Sequence, residues 1–169
     1  MLVLRKSSTV ANGQPSCGGK ILLTSEGIIP AVGSVNSLFD KVLKSESITG
    51  TTEYRLVYLS NESGSSQTIY NPLVRLLGKT DSEISLYALS RGAEGVSLPS
   101  EKTEPTGAVF KSQIQLDASS TNKGYLDFPN TATLAPGEYC GLWIRRKTNA
   151  ASGSGTTVEE MVLEISYSE

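Results

Sequence analysis

The segment 138–147 (EYCGLWIRRK) constrains the fold more than any other part of the chain. Side chains two apart share a face of an extended strand. Tyr139, Trp143 and Arg145 therefore lie on one side, and Cys140, Leu142 and Ile144 on the other. Comparable runs recur along the chain. Segment 53–60 (EYRLVYLS) is rich in β-branched and aromatic residues and has the length of a sandwich strand. Segment 67–77 (QTIYNPLVRLL) is extended, and Pro72 inside it implies an edge strand, a bulge or two strands with a kink. Segment 83–89 (EISLYAL) alternates, with Ile84, Leu86 and Ala88 on one face. Segment 107–116 (GAVFKSQIQL) puts Phe110, Ile114 and Leu116 on one side. Segment 125–128 is a short strand. Segment 158–167 (VEEMVLEISY) closes the series, with Met161, Leu163, Ile165 and Tyr167 alternating. Segments 20–24 and 28–32 are weaker strand candidates, the second broken by Pro30.

Turn residues separate these runs at fairly regular spacing. Segment 61–66 is a turn, 90–100 is a loop with Gly92, Gly95 and Pro99, and 149–156 is a Ser/Gly hairpin tip. One helical turn is suggested by the spacing of Leu38, Phe39, Val42 and Leu43. Many short strands with turns between them point to a sandwich or barrel, and the wide spread of apolar faces favours two packed sheets. The expected fold is thus all-β: an immunoglobulin-like or jelly-roll-type sandwich. Residues 1–19, punctuated by Asn12-Gly13, Pro15 and Gly18-Gly19, read as an extended N-terminal arm. Residues 20–169 read as a single β-sandwich domain, and 169 residues suit one domain with its own core.

Composition narrows the function. Charged residues are 19% of the chain, so Ser, Thr, Asn and Gln must cover much of the surface. Net charge is −2, with no basic stripe of the kind that phosphate contacts require, which argues against nucleic-acid binding. Arg145, Arg146 and Lys147 form the densest basic cluster and mark a strand running into solvent. No segment has the length of a membrane span, and Arg5 and Lys6 interrupt the apolar start, so neither a membrane partner nor a signal peptide is expected. The cysteines, Cys17 and Cys140, lack metal-ligand spacing. They read as free thiols, with a disulfide from the arm to a late strand as the alternative.

Catalytic chemistry finds little support. There are no histidines, which removes the usual general base and metal ligand and rules out a Ser-His-Asp or Cys-His arrangement within the chain. Two cysteines cannot complete a zinc site of sulfur ligands. The carboxylates Asp117, Asp127, Glu138, Glu159 and Glu160 were weighed for glycoside chemistry. Glu159 and Glu160 point to opposite faces of a strand, and Asp117 and Asp127 flank loops, so nothing selects a pair. Asp40, Asp81, Asp117 and Asp127 are too scattered for a calcium loop. No phosphate-binding glycine motif occurs. Asn61-Glu62-Ser63 matches a glycosylation sequon and reads as a turn. No catalytic residue, metal or cofactor is expected. The seven tyrosines and Trp143 read as core and edge packing, with a sugar-stacking platform as the alternative.

Two patterns go further. Leu134-Ala-Pro136-Gly137-Glu-Tyr139 before a strand resembles the tyrosine corner of immunoglobulin-like sandwiches, in which the tyrosine hydroxyl bonds to upstream backbone. That resemblance gives Tyr139, with Pro136, Gly137 and the following Trp143, a structural role. A Tyr139→Phe change would then remove about 1 kcal/mol or more. The second pattern is an ordered series. Gly18-Gly19-Lys-Ile21 is followed by Ser37-Leu38-Phe39-Asp40-Lys-Val42, Gly50-Thr-Thr-Glu53-Tyr54-Arg55 and Val57-Tyr58-Leu-Ser-Asn61. Glu104-Pro105-Thr106-Gly107-Ala-Val-Phe110 and Leu134-Ala-Pro-Gly137 follow, then Leu142-Trp143-Ile144-Arg145-Arg146-Lys-Thr-Asn149-Ala150. In this order the chain resembles small structural proteins of tailed bacteriophages.

The resemblance implies a non-enzymatic virion component made in the host cytoplasm and present in many copies. Its expected partners are other virion proteins, the major capsid protein first and tail proteins second, together with further copies of itself. A capsid decoration or cement role leads. A tail, collar or baseplate role and a carbohydrate- or cell-surface-binding module are the alternatives. On this reading the arm 1–19 makes the attachment, and the domain folds without it.

Overall fold

Strand pairing organises the computed structural model, which describes residues 1–30, 38–40, 42–62, 64, 66–77, 82–118, 124–149 and 161–168. Ten strands form among these residues: β1 (Leu2–Lys6), β2 (Ile28–Ile29), β3 (Thr51–Asn61), β4 (Ile69–Leu77), β5 (Glu83–Arg91), β6 (Lys111–Ser112), β7 (Leu126–Asp127), β8 (Thr133–Leu134), β9 (Tyr139–Thr148) and β10 (Val162–Ser168). Two short helices, α1 (Lys44–Thr49) and α2 (Gln113–Asp117), lie between them. The larger sheet has the order β2-β1-β3-β9-β5-β6. The smaller has β10-β4-β7, with β8 also pairing β4. All the named pairings are antiparallel. The chain is an all-β sandwich of two antiparallel sheets.

The alternation in β3 and β9 explains how the layers stack. Val57, Leu59, Cys140, Leu142 and Ile144 point into the space between the sheets, where Val74, Leu86, Leu116, Phe128 and Leu134 meet them. The opposite face of the same two strands is buried as well. Tyr54, Leu56, Tyr58 and Trp143 form a second core with Ala11, Cys17 and Leu98, contributed by the loops 7–22 and 92–110. A sheet buried on both faces accounts for the unbroken burial from Glu53 to Asn61.

The first nineteen residues are not a free arm, and this corrects the sequence expectation. β1 pairs with the second half of β3, from Leu2 opposite Asn61 to Lys6 opposite Val57. Where β1 ends, the following loop takes its place along β3: Leu56 N–H donates to Ser16 O at 2.7 Å. Gly18 is essential to that course, because its φ is +95° and a Cβ there would sit 1.8 Å from Val96 O. Arg5 clamps the segment with a bidentate pair to Glu62 (2.9 Å each) and further bonds to Leu22 O and Thr24 O.

Other expectations shift locally. The helical turn does not span Leu38 to Leu43; α1 starts after Leu43, whose N–H donates to the Glu46 carboxylate (2.9 Å). Leu38 and Phe39 are used in packing instead. Segment 107–116 is not one strand. It has two strand residues and then α2, set off by a reciprocal cap in which Gln115 N–H donates to Ser112 Oγ and Ser112 N–H donates to Gln115 Oε1. Ser-x-x-Gln was the signal missed there. Segment 20–24 contributes only an isolated bridge, Ile21 to Ser7. Pro72 sits where β4 exchanges one neighbour for another: β8 pairs Ile69 and Tyr70, and β7 pairs Leu73 and Val74. Asn71, at φ +47°, stands at this exchange, where the register with β10 also shifts between Leu73 and Tyr70. Most of the Ser/Gly tip, with Glu159 and Glu160, lies outside the described residues.

Candidate functional site

Of the corner residues singled out from the sequence, Gly137 bonds to Asn61, at the end of β3, while Tyr139 and Trp143 pack elsewhere. Pro136 and Gly137 form the turn between β8 and β9. Gly137 N–H donates to Asn61 O (2.7 Å), and Asn61 N–H donates to Glu138 O (3.0 Å). The Asn61 side-chain amide donates to Gln67 O and Leu134 O. Glu138 closes its own turn by accepting from Ala135 N–H at 2.7 Å. Tyr139 stacks edge-on against Tyr58, with ring centroids 5.4 Å apart. Burial, reinforced by the neighbouring Glu94 carboxylate, holds its hydroxyl above the ordinary tyrosine range. The hydroxyl that ties backbone together is that of Tyr58, which donates to Gly19 O and accepts from Gly95 N–H (3.1 Å). Burial pushes Tyr58 up to about 12. Trp143 is fully buried in the second core, against Gly95.

A buried ionic cluster lies at the other end of β3. Glu53 and Arg55 take inward positions in line with Val57, and Arg146 does so in β9. Arg146 donates to the Glu53 carboxylate through Nε (3.0 Å) and Nη2, and to Asp40 O through Nη1 (2.7 Å). Arg55 lies 3.5 Å from Glu53 and donates to Leu38 O, Tyr54 O and Gln14 Oε1. The Phe39 ring lies 5.1 Å from the Arg55 guanidinium and 4.8 Å from that of Arg146. Arg146 is therefore a buried pillar, not a residue running into solvent as its basic neighbours had suggested. Its partners are structural: the cluster pins segments 14 and 38–40 to the sheet. Charges at inward strand positions were the available signal.

The carboxylates weighed for catalysis are spread over separate elements. Asp117 accepts from Gln113 at 2.7 Å, Asp127 stands on β7, and Glu138 is held in its turn. Among the described residues no group of three or more Cys, Asp or Glu converges as a metal site requires. Cys17 lies in the outer core and Cys140 between the sheets, so the sheet separates them and both are free thiols. Burial raises both thiols above their ordinary range. Open depressions among the described residues include one beside Asn71, Asp127 and Asn130, lined largely by loop and turn residues, and one between Thr49–Thr52 and Lys147–Asn149, lined mostly by the ends of β3 and β9. Among the described residues no helix is long and apolar enough to cross a membrane.

Among the described residues β10 pairs with β4 alone, and no described strand covers the other side of this seven-residue strand. Its inward side chains, Leu163 and Ile165, are only partly buried, and Val162 and Tyr167 are exposed. No family model matches this chain, and no curated protein or solved structure matches it.

Proposed function

We propose that this chain is a non-enzymatic structural component of a tailed-phage virion, and specifically a decoration or cement protein that binds the major capsid lattice. The observation that carries the assembly reading is the edge of β10 that no described strand covers, a surface able to pair its main chain with another polypeptide. The ordered motifs from Gly18 to Ala150 support the virion context. The weakly charged surface agrees with it, because few charges need to be desolvated on contact. The attachment role assigned to residues 1–19 passes to the sheet edges, since that segment is built into the larger sheet. A tail, collar or baseplate position would use the same surface.

Purified protein added to particles that lack it should bind saturably, in proportion to the number of capsid subunits. Binding in a few copies per particle would move it to the tail. No binding, with the protein absent from purified particles, would remove the virion reading. The exposed Tyr70 and Tyr167 favour a polysaccharide-binding module as the second reading. Retention on a polysaccharide column that is lost in Tyr70→Ala or Tyr167→Ala would support it.

A further inference from the structure

Natural sheets protect their edges with short strands, charged side chains, proline or bulges, because an open edge recruits other chains. Most edges here follow that rule. β2, β6, β7 and β8 are each two residues long. Pro30 directly follows β2, Lys111 lies in β6, Pro129 follows β7 closely, and Pro136 follows β8. The first half of β3, beyond the end of β1, is covered by backbone bonds to Ser16 and Glu101. β5, which β6 covers only at Ser85 and Leu86, carries Glu83 and Arg91 at its ends, whereas β10 departs from the rule. It runs seven residues, VLEISYS, with no Lys, Arg or Pro. Its one irregularity lies between Ser166 and Ser168, which leaves Val162 to Ser166 in regular register with β4.

We propose that the free edge of β10 pairs with β10 of a second copy of this chain, antiparallel about a two-fold axis at Ile165. The inference rests on the assembly reading above and names the partner of that edge. Ile165 is the midpoint of Val162–Ser168, so this register pairs the whole strand. It places Ile165 opposite Ile165 of the second copy, Leu163 opposite Tyr167, and Glu164 opposite Ser166. The only charge on the strand therefore meets a hydroxyl. Moving the axis one residue, to Glu164, would set the two glutamates against each other, which is unfavourable for directly opposed side chains. Glu164 already accepts from Arg75 (2.9 Å) and from the Tyr125 hydroxyl on its own sheet face. It needs no cation from the partner. On the inward face, Leu163 and Ile165 would gain the cover that the edge withholds. The two smaller sheets would join into one continuous sheet across the axis, an isologous contact that closes at two copies.

Sedimentation velocity of the full chain over a wide concentration range tests this directly. The expected result is a reversible dimer. Ser166→Glu, which faces Glu164 of the partner in this register, should weaken it at least tenfold. Ser166→Lys, facing the same Glu164, should retain or strengthen it. Unchanged thermal melts by circular dichroism would establish that both variants are folded. A wild-type protein that is monomeric throughout, or a dimer equally indifferent to Glu and Lys at position 166, would overturn the proposal. Particle binding by the same samples is read separately. A monomer that still decorates particles would sink the paired edge and leave the virion reading standing.

Discussion

Tyr58 does the work that its surroundings withhold from Tyr139. Both lie on the outer face of the larger sheet, but only the Tyr58 hydroxyl bridges two loop backbones, at Gly19 and Gly95. Tyr58→Phe should therefore lower stability by about 1–3 kcal/mol, since Gly95 N–H is left without its acceptor. Tyr139→Phe should change it by less than about 1 kcal/mol. Denaturant midpoints of the two variants check this order. The same hydroxyl gives an alkaline signature. Its pKa is raised in the folded state, from 10.0 to about 12, so its contribution is intact below pH 10. It is lost as pH rises between the two values, because only the unfolded chain releases the proton there. The loss is on the order of 2 kcal/mol, and Tyr58→Phe should flatten that part of the stability curve. The ionic cluster makes a further prediction at this scale. Glu53→Ala would leave Arg55 buried without its carboxylate and Arg146 with only the 3.4 Å contact to Asp40, which costs about 3–5 kcal/mol. A double-mutant cycle with Arg146→Met would measure the coupling.

At the scale of elements, the decisive feature is how the first residues are used. β1 supplies five residues of pairing to β3, and the loop after it buries Cys17 and Ala11 over Leu56 and Trp143. Deleting residues 1–19 should therefore unfold the domain, seen as loss of the cooperative melt and of near-ultraviolet signal from Trp143. A folded deletion variant would contradict the pairing. The long strands were legible because β-branched and aromatic residues, or an alternating pattern, run over seven or more positions: 53–60 and 83–89 fall within β3 and β5, and 138–147 falls within β9 except for Glu138. The N-terminal segment was not. Its glycines and Asn12 read as punctuation, but they serve a loop that replaces a strand along β3, a long-range role invisible to local pattern. α2 was missed because Phe110, Ile114 and Leu116 fit a two-residue period, whereas the local cap of Ser112 and Gln115 decides for a helix. The corner motif marked the right turn and the wrong anchor. Asn61, distant in sequence, holds it.

At the scale of the whole molecule, the chain is a two-sheet sandwich whose buried charges serve the fold and whose β10 edge is uncovered among the described residues. The fold class followed from strand count and turn spacing. The assembly surface did not, because which strand ends at an edge depends on topology, and only then does the lack of Lys or Pro in β10 acquire meaning. We propose that this domain is a repeated part of a phage particle. That role is tested most directly by a cryo-electron microscopy map of the particle that carries it, with the sandwich placed in density. The account predicts many copies on the outer capsid lattice, with β10 within strand-pairing distance of a neighbouring chain. A particle lacking this density, or copies whose β10 edge faces only solvent, would contradict it.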